Sequence, residues 1–428
     1  MRGPVFSFPL ALLAACSHGG TQVGGGPASQ PSSKPASAPA SRPSADLRVE
    51  VDSFPFQDHP KLLERLRAHP HGYFRFINRA FSQNVCDRWS DVMASMATVN
   101  LHGDAHLEQY SVTDISRGLS DFDDSSTGPP VLDLLRMMVS IQLTSEFMGW
   151  PDSSDLITDR FFEGYVAALQ DPGLGAPLPA PAARLRARFS DDRREFLEWV
   201  KTVMEPVDEP TRAMFQEALQ PYVDRMIAAK NGVDEPAFFD IRQAGLLRLG
   251  IGSALDEKYL LRVEGPTASE SDDVILEVKQ VRDLGGVSCI DGNEKVDPFR
   301  ILLGQSRIAY SPYQYLGYLR LKERTFWIHS WVDHYQELDP RQMLHGPEEL
   351  GEVLYDIGVQ LGRGHPNQIA APFDEELRAL LVQWVETYRE RLDDDAIELR
   401  DAIDEAYAVF VRESEALAER LELPQPAR

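Results

Sequence analysis

The segment 100–124 holds an unusually dense set of acidic and histidine side chains. Its two ends read Asn-Leu-His-Gly-Asp-Ala-His-Leu-Glu-Gln at 100–109 and Ser-Asp-Phe-Asp-Asp at 120–124. Carboxylates at this density repel one another unless cations separate them, and a divalent metal with oxygen ligands is one such cation. Apolar residues at 99–101 and 118–119 predict short strand ends, which place the polar residues in turns above a core. The alternative interpretation is a solvated acidic loop.

Composition limits the class of protein. The chain has 428 residues, 43% of them apolar, which is enough for one large or two medium domains. Its formal net charge is −24 at pH 7. Because nucleic acids and anionic membrane surfaces are themselves negative, this charge argues against both as binding partners. We expect a monomer.

The first 45 residues predict export and anchoring rather than folding. Arg2, an apolar run at 5–13 and the tetrapeptide Leu-Ala-Ala-Cys at 13–16 resemble a bacterial lipoprotein signal with its lipobox. The run is too short to span a bilayer, so Cys16 is the expected lipidation site and the lipid the expected contact with the membrane. Ser17 favours the outer membrane, facing the periplasm or the surface. The alternative is an apolar N-terminus that arose by chance.

Residues 17–45 are mostly Gly, Ser, Pro, Ala and Gln and predict a disordered tether, because they contain almost nothing that could form a core. Two further cysteines, Cys86 and Cys289, have no metal-ligand spacing. Outside the cytoplasm they could pair, although cysteines so far apart are more often separate buried residues.

The remainder of the chain changes from a helical period to period two and back. Helices are predicted at 60–66, 131–148, 155–169, 183–204, 209–230, 297–310, 348–363 and 374–421. Strands are predicted at 241–249, 258–264, 274–281, 315–321 and 325–332. The helices between 155 and 230 carry packing residues and nothing that requires chemistry.

A glycine turn and a lysine in the strand region indicate phosphate binding. The turn reads Arg-Leu-Gly-Ile-Gly-Ser at 248–253, with Gly250, Gly252 and Ser253, and Lys279 lies inside the apolar third strand. Glycines allow backbone N–H groups to approach phosphates, and an inward lysine adds a fixed charge. The alternatives are an ordinary hairpin and an outward lysine that shares its face with Glu277.

Here the chain resembles known families. The pattern His-Gly-Asp-x-His-x-x-Gln at 102–109 is similar to the catalytic loop of aminoglycoside phosphotransferases, which have Asn in the last position. Asp-Phe-Asp at 121–123 is similar to their metal-binding segment. The wider string, from Gly-Asp-Ala-His-Leu to Asp-Leu-Leu-Arg at 133–136, resembles the bacterial family named domain of unknown function 2252. The likeness is strong over 99–140 and patchier over 240–365.

The resemblance implies a site that uses Mg²⁺ and ATP or another nucleotide. It implies that Asp104 orients or deprotonates the acceptor hydroxyl, with His106 beside it in the catalytic loop. It makes Asp121, Gln109 and Asp123 the metal ligands. Lys279 would pair with the nucleotide phosphates under the glycine turn, and Arg75 or Arg79 would meet a phosphate unless they are surface residues.

Two residues near this loop are expected to be structural. Asp133 would anchor the loop to the following helix, and Arg136, one turn later, would be its partner. His106 is expected to support the loop by hydrogen bonding rather than take a proton, and His102 is likewise expected to be structural.

The order of the motifs predicts the fold class. Kinases run from small lobe to hinge to catalytic and metal loops, whereas here the loops come first. We therefore expect an α+β, circularly permuted protein-kinase-like fold with a helical large lobe and a five-stranded antiparallel small lobe. Its parts are 46–235 and 336–428 in the large lobe and 236–335 in the small lobe, with a hinge near 333–340. The termini should lie close together on the large lobe.

Three positions depart from the kinase pattern: Gln109 replaces Asn, Leu255 replaces a third glycine, and Leu303 stands where a Glu should pair with Lys279. Three functional hypotheses follow. The first is a phosphotransferase or nucleotidyl transferase using Mg-nucleotide in the cell envelope, with an acceptor that the sequence does not identify. The second is a binding module that has lost turnover. The third is an envelope lipoprotein in which calcium stabilises the acidic loop.

Overall fold

The computed structural model describes residues 46–189, 193–229, 233, 235–247, 256–291, 296–331 and 334–424. The helices within these ranges are α1 Pro60–Ala68, α2 Pro70–Phe76, α3 Asn78–Arg88, α4 Val131–Phe147, α5 Ser154–Gln170, α6 Ala180–Arg186, α7 Arg193–Val203, α8 Glu209–Ala228, α9 Pro298–Ile308, α10 Pro340–Met343, α11 Pro347–Gly364, α12 Asp374–Glu413 and α13 Glu415–Arg420. Helix and antiparallel sheet occur together, so the fold class is α+β, as the sequence predicted.

The strands form three antiparallel sheets. They are β1 Val99–Leu101, β2 Tyr110–Val112, β3 Arg117–Leu119, β4 Ser126–Gly128, β5 Met204–Pro206, β6 Ile241–Leu247, β7 Lys258–Val263, β8 Val274–Gln280, β9 Gly317–Leu321, β10 Arg324–Ser330 and β11 Gln336–Glu337. The largest sheet has the order β5-β6-β7-β8-β10-β9. The other two are β1-β4 and β11-β2-β3.

The large sheet has six strands, whereas the sequence predicted five. The additional strand, β5, pairs with β6, Met204 lying opposite Leu247. The sequence placed residue 204 at the end of a long helix. A three-residue strand that ends in proline is too short to show an alternating pattern, and its partner supplies the pairing that its own residues do not predict.

Two predicted helices are divided in the structure. The region predicted as 183–204 contains α6 and α7, and the region predicted as 374–421 contains α12 and α13. The remaining helix and strand predictions are confirmed within a few residues at each end, the usual uncertainty of element boundaries.

The helical core is centred on α4, α5 and α11. Helix α4 is almost entirely buried, which explains its apolar sequence. Helices α5 and α11 approach so closely that a Cβ at Gly164 would overlap the carbonyl oxygen of Tyr355, and one at Gly358 would overlap that of Phe161. Glycine is therefore required at this crossing, and the loops on top of it rest on a rigid base.

The first and last described helices contact each other. Arg67 on α1 donates to the carbonyl oxygen of Val411 at 2.8 Å and to Ser414 Oγ at 2.7 Å, and it forms an ion pair with Glu415 at 2.6 Å. The beginning and the end of the described chain therefore lie on the same part of the helical region.

A disulfide joins Cys86 on α3 to Cys289, which follows β8. The same contact includes a hydrogen bond of 2.7 Å from the Ser288 amide to Gln83 Oε1. Of the two interpretations of these cysteines, the structure has the paired one. Within the described residues, none of the helices combines the length and the apolar character needed to cross a membrane.

Candidate functional site

A cavity of about 840 Å³, called the cleft below, lies between the large sheet and the helical region. The sheet contributes charged side chains from β7 and β8, and the opposite wall comes from α2 and residues 336–341. Asp121 lines the cleft, and so do Lys258, Glu277 and Lys279. Asp104 is not among the lining residues. Of the predicted site residues, the cleft therefore brings together Lys279 and Asp121 but not the predicted catalytic aspartate.

Lys279 faces into the cleft and is only 7% exposed. Its Nζ lies 3.1 Å from Asp121 Oδ1, 3.8 Å from Asp123 Oδ2 and 3.6 Å from Glu277 Oε1. On β8, residues 276 and 278 enter the hydrophobic core, so residues 277 and 279 face the cleft. The alternative in which this lysine points outward is wrong.

Lys258 and Lys279 are neighbours across two strands. They are direct partners in the pairing of β7 with β8, and Lys258 Nζ lies 3.8 Å from Asp123 Oδ2. Two buried lysines side by side repel each other unless anions separate them. Here Asp121 and Asp123 provide that negative charge, and a ligand phosphate would be attracted in the same way.

The backbone of the Asp121 loop is fixed in an unusual conformation. Asp121 has φ 58° and ψ 69°, a left-handed conformation that Asp adopts more readily than most residues. The following 3₁₀ turn is held by Arg300 on α9, which donates to the carbonyl oxygens of Asp123 at 2.6 Å and Ser125 at 2.8 Å. Trp327 Nε1 donates to Asp123 Oδ1 at 2.7 Å.

The charges around the cleft shift the pKa values of Asp121 and Asp123 in opposite directions. Burial disfavours the Asp121 carboxylate, but Lys279 and Lys258 hold its pKa well below the usual range. Burial, with the neighbouring Asp121 charge, raises the pKa of Asp123 to about 6. Burial also opposes the Lys279 ammonium, yet the carboxylates of Asp121 and Asp123 raise its pKa well above the ordinary value. The neighbouring lysines therefore stabilise the ionised form of Asp121, whereas the ionised form of Asp123 is disfavoured.

Asp104 is held by an arginine. Its Oδ1 accepts hydrogen bonds from Arg136 Nε at 2.9 Å and Nη2 at 2.7 Å. Its Oδ2 lies 3.4 Å from Gln109 Nε2 and 3.5 Å from His106 Nε2. Burial opposes the carboxylate, but Arg136 and His106 outweigh it, and the pKa of Asp104 lies well below the usual range. The predicted catalytic pair Asp104 and His106 is therefore in contact, and both side chains are buried.

Asp133 anchors the catalytic loop, as expected, but its partner is not Arg136. Its two carboxylate oxygens accept from the His102 amide at 2.7 Å and the Gly103 amide at 2.9 Å, and His365 Nε2 lies 3.3 Å away. His102 supports the loop through its own Nε2, 2.9 Å from the Ser120 carbonyl oxygen. The prediction that Arg136 pairs with Asp133 is wrong because Arg136 reaches Asp104 instead.

The predicted metal ligands are only partly brought together. Asp121 lines the cleft and Asp123, which is not a lining residue, contacts the same Lys279. The side-chain amide of Gln109 instead contacts Asp104, and its Oε1 has no hydrogen-bond partner among the described residues. No group of three or more His, Cys, Asp or Glu residues within the described ranges is arranged to hold a metal ion. Mg²⁺ typically uses one or two carboxylates together with substrate phosphates, and the Asp121–Asp123 pair fits that donor set.

The remaining predicted positions either lie outside the described residues or make contacts other than those expected. Gly250, Gly252, Ser253 and Leu255 lie outside the described residues, as does Cys16. Leu303, at the position where a Glu would pair with Lys279, lies on α9 and is 46% exposed. Outside the Asp121 loop, the carboxylate that contacts Lys279 is that of Glu277, on the same strand as the lysine. Arg75 lies 3.4 Å from Glu108, and Arg79 donates to the Gly285 carbonyl oxygen.

Sequence reasoning did not assign five side chains to the site. Glu277 Oε2 and His329 Nε2 lie 3.2 Å apart on the cleft face of the sheet, where Lys258 and Trp327 also lie; Arg136 is the fifth. The alternation of strands places residues 277 and 279 on one face, so Glu277 could have been found from that signal. Lys258 and His329 depend on the pairing of β7, β8 and β10, which the sequence does not specify.

Comparison with known proteins gives a family and no further relative. No curated protein and no solved structure matches the chain significantly. The family model described as "Uncharacterized protein conserved in bacteria (DUF2252)" matches residues 59–178 and 179–413. These ranges include the catalytic-loop segment, the Asp121 loop and the whole large sheet, which is well over half of the chain. The chain therefore belongs to the DUF2252 family.

Proposed function

We propose that this protein is a phosphotransferase, or a nucleotidyl transferase, that uses a magnesium-bound nucleotide and has a circularly permuted kinase-like fold. The observation that carries the proposal is the 3.1 Å contact of Lys279 with Asp121. The two residues are 158 positions apart and were selected from the sequence for separate roles. Their meeting in a cavity of about 840 Å³ supports a single nucleotide site.

The contact of the first and last described helices supports the permuted order. In a permuted chain the original termini are joined and new ones open elsewhere, at neighbouring surface positions. Arg67 on α1 binds residues at the end of α12, which agrees with that expectation. The large sheet then corresponds to the small lobe, with β5 as an additional edge strand.

The residues of the cleft would bind the nucleotide mainly by charge. Asp121 and Asp123 would hold Mg²⁺, which when bound neutralises phosphate charge. Lys279 and Lys258 would contact the phosphate oxygens that replace their present carboxylate partners. Since phosphoryl transfer depends mostly on positioning and electrostatics, these four side chains would contribute more than any nucleophile.

Asp104 would orient the acceptor hydroxyl rather than remove its proton. A carboxylate that receives two hydrogen bonds from Arg136 is a weak base, and its Oδ2 is the atom left to accept a bond from a substrate. For this role Asp104 must reach the cleft, which it does not line in this structure.

A binding module without turnover is the second candidate, favoured by the pairing of Asp104 with Arg136. That pairing satisfies the aspartate in the absence of substrate and keeps it away from the cleft. The module would retain Lys279, Asp121 and the nucleotide while transferring nothing. Such a protein would serve the cell by sensing or scaffolding.

We place the protein in the cell envelope, held by a lipid on Cys16. The disulfide between Cys86 and Cys289 supports this location because disulfides persist in oxidising compartments and are rare in the bacterial cytoplasm.

The test is the melting temperature of the purified protein with Mg²⁺ and ATP, each alone and together. A ligand present at 100 times its Kd adds about 2.7 kcal/mol to the folded state, which is a measurable shift. We expect a shift that needs both components, is lost in Lys279→Ala and Asp121→Asn, and is unchanged in the exposed control Lys61→Ala. Equal shifts in wild type and Lys279→Ala would overturn the nucleotide site.

Label transfer then separates the two candidates. With γ-labelled ATP for phosphoryl transfer and α-labelled ATP for nucleotidyl transfer, a transferase loses transfer in Asp104→Asn while its nucleotide affinity stays near the wild-type value. A binding module shows the same affinity and no transfer in either protein. A shift produced by the metal alone would favour the calcium-stabilised scaffold.

A further inference from the structure

A second cavity, of about 280 Å³, lies on the helical region and is called the arginine pocket below. It is lined by the end of α9 and the residues that follow it, by the end of α11 and by the beginning of α12. Its volume lies just below the roughly 300–1,000 Å³ of typical small-molecule sites. It therefore suits a ligand of few heavy atoms.

The lining of this pocket is positively charged in a strongly negative protein. Its charged residues are Arg307, Arg363, Arg378 and Asp374. Among the described residues, only Arg378 has a carboxylate partner, Asp374 at 2.6 Å. Neither Arg307 nor Arg363 has a salt bridge with any described residue. Three cations against one anion leave an excess of two positive charges, in a chain whose net charge is −24.

The two arginines without carboxylate partners are held in place by neutral groups. Arg307 Nη1 donates to Asn100 Oδ1 at 2.8 Å, and the Arg363 guanidinium lies over the Tyr310 ring, 5.8 Å from its centre. Guanidinium groups bind phosphate and carboxylate through paired, charge-assisted hydrogen bonds. The remaining donors of these side chains are therefore suited to an oxyanion.

The pocket is connected to the catalytic loop through one side chain. The Asn100 side chain accepts from Arg307 and donates through Nδ2 to the Gly364 carbonyl oxygen at 2.9 Å. The backbone N–H of Asn100 donates to the His365 carbonyl oxygen at 3.1 Å. His365 contacts Asp133, the anchor of the loop. A ligand on Arg307 would therefore act on the segment that positions residues 100–104.

We propose that the arginine pocket binds a small anion bearing phosphate or carboxylate groups, and that its occupation stabilises the catalytic loop. The site is separate from the cleft: the two cavities share no lining residue. It does not depend on the proposed phosphotransferase activity. The ligand class follows from the excess of guanidinium charge and from the volume.

The experiment measures binding of inorganic pyrophosphate and of citrate to the full chain at constant ionic strength by calorimetry. The test variant is Arg363→Gln with Arg378→Gln, which leaves the Arg307–Asn100 contact in place. The matched control is Arg412→Gln, on the same helix as Arg378 but about 50 Å further along it at 1.5 Å per residue. Lys279→Ala identifies any anion bound in the cleft.

We expect the double variant to lose affinity by about tenfold per guanidinium removed, as for charge-assisted hydrogen bonds. Arg412→Gln should bind as wild type, whereas Lys279→Ala should lose only the anion bound in the cleft and keep the affinity of the pocket. Amide hydrogen exchange at residues 100–104 should slow on addition of pyrophosphate in wild type and not in the double variant.

Three results would overturn the proposal. One is the absence of binding in wild type at millimolar anion, and another is a loss of affinity confined to Lys279→Ala, which would assign the anion to the cleft. Binding at the pocket with unchanged exchange at 100–104 would overturn the link to the catalytic loop. Melting curves without anion check that the double variant is folded.

Discussion

The Arg136–Asp104 pair decides how the predicted catalytic aspartate can act. Both side chains are buried, and Arg136 also lies over the Phe74 ring, 3.7 Å from its centre. A charge removed from water in this way is tolerated only when it is paired. The pair is therefore a structural element first, and any role of Asp104 in transfer must be compatible with it.

Removing the arginine should destabilise the protein strongly. Arg136→Met leaves the Asp104 carboxylate buried and without its guanidinium partner, and we expect a loss of about 3–5 kcal/mol in the free energy of unfolding. Urea denaturation measures it. The double variant Arg136→Met with Asp104→Asn should recover part of the loss. A loss below about 1 kcal/mol in Arg136→Met, the value of a surface pair, would contradict this account of the contact.

Two histidines on the helical wall of the cleft should make stability depend on acid pH. His69 Nδ1 accepts from the His71 amide at 3.2 Å and lies 2.7 Å from His71 Nδ1. Burial lowers the pKa values of both histidines from 6.5 to about 4. For His69, repulsion from the like charge of a protonated His71 ring lowers the pKa further. The folded protein therefore binds fewer protons than the unfolded chain between these values. Its stability is complete above pH 6.5 and falls as the pH drops towards 4.

The pH dependence of the free energy of unfolding checks this prediction. We expect His69→Asn with His71→Asn to reduce proton uptake on unfolding between pH 4 and 6.5 by up to about two protons. The control is His345→Asn, whose side chain is 69% exposed. An unchanged slope in the double variant would show that these histidines are not the groups that titrate.

At the scale of elements, the sequence predicted what depends on local pattern and missed what depends on pairing. The strands of 241–281 and 317–330 follow from alternation, and the buried helix α4 from its continuous apolar run. The edge strand β5 does not, because three residues carry no period. The sequence did not show whether the Lys279 side chain points towards the cleft or towards solvent, since Glu277 shares its face of the strand. The structure does, because the other face of β8 packs into the hydrophobic core.

The same limit applies to the candidate site. Asp104, Asp121, Asp123 and Lys279 could be selected from motifs, whereas Lys258 lies in the cleft because of its register opposite Lys279. Arg136 was assigned to the wrong aspartate because its one-turn spacing on α4 suggests Asp133, whereas Asp104 lies 32 positions away in the chain. Contacts between residues distant in the chain are set by tertiary packing, which a single sequence does not reveal.

The disulfide should stabilise the segment after β8 against α3. It closes a loop with a sequence separation of 203 residues, and removal of such a bond typically costs about 2–5 kcal/mol. We expect that loss in Cys86→Ser with Cys289→Ser, measured by urea denaturation of oxidised protein. Under full reduction wild type and variant should become equal. Equal stability before reduction would contradict the contribution of this bond.

At the scale of the whole molecule, the net charge of the chain and the proposed lipid at Cys16 act in opposite directions on contact with a membrane. A net charge of −24 repels an anionic surface, and within the described residues there is no helix able to cross a bilayer. The proposed lipid at Cys16 would bind a membrane through the hydrophobic effect, which is insensitive to salt.

Fractionation of the bacterial envelope tests the role of this lipid. We expect wild type in the membrane pellet, resistant to washing with concentrated salt and released by detergent, and Cys16→Ser almost entirely in the soluble fraction. The variant Cys86→Ser with Cys289→Ser should remain in the pellet, because it keeps the lipidated cysteine and lacks only the disulfide. If Cys16→Ser stayed in the pellet, another part of the chain would have to bind the membrane. If wild type were released by salt alone, the contact would be electrostatic, against the sign of the protein's own charge.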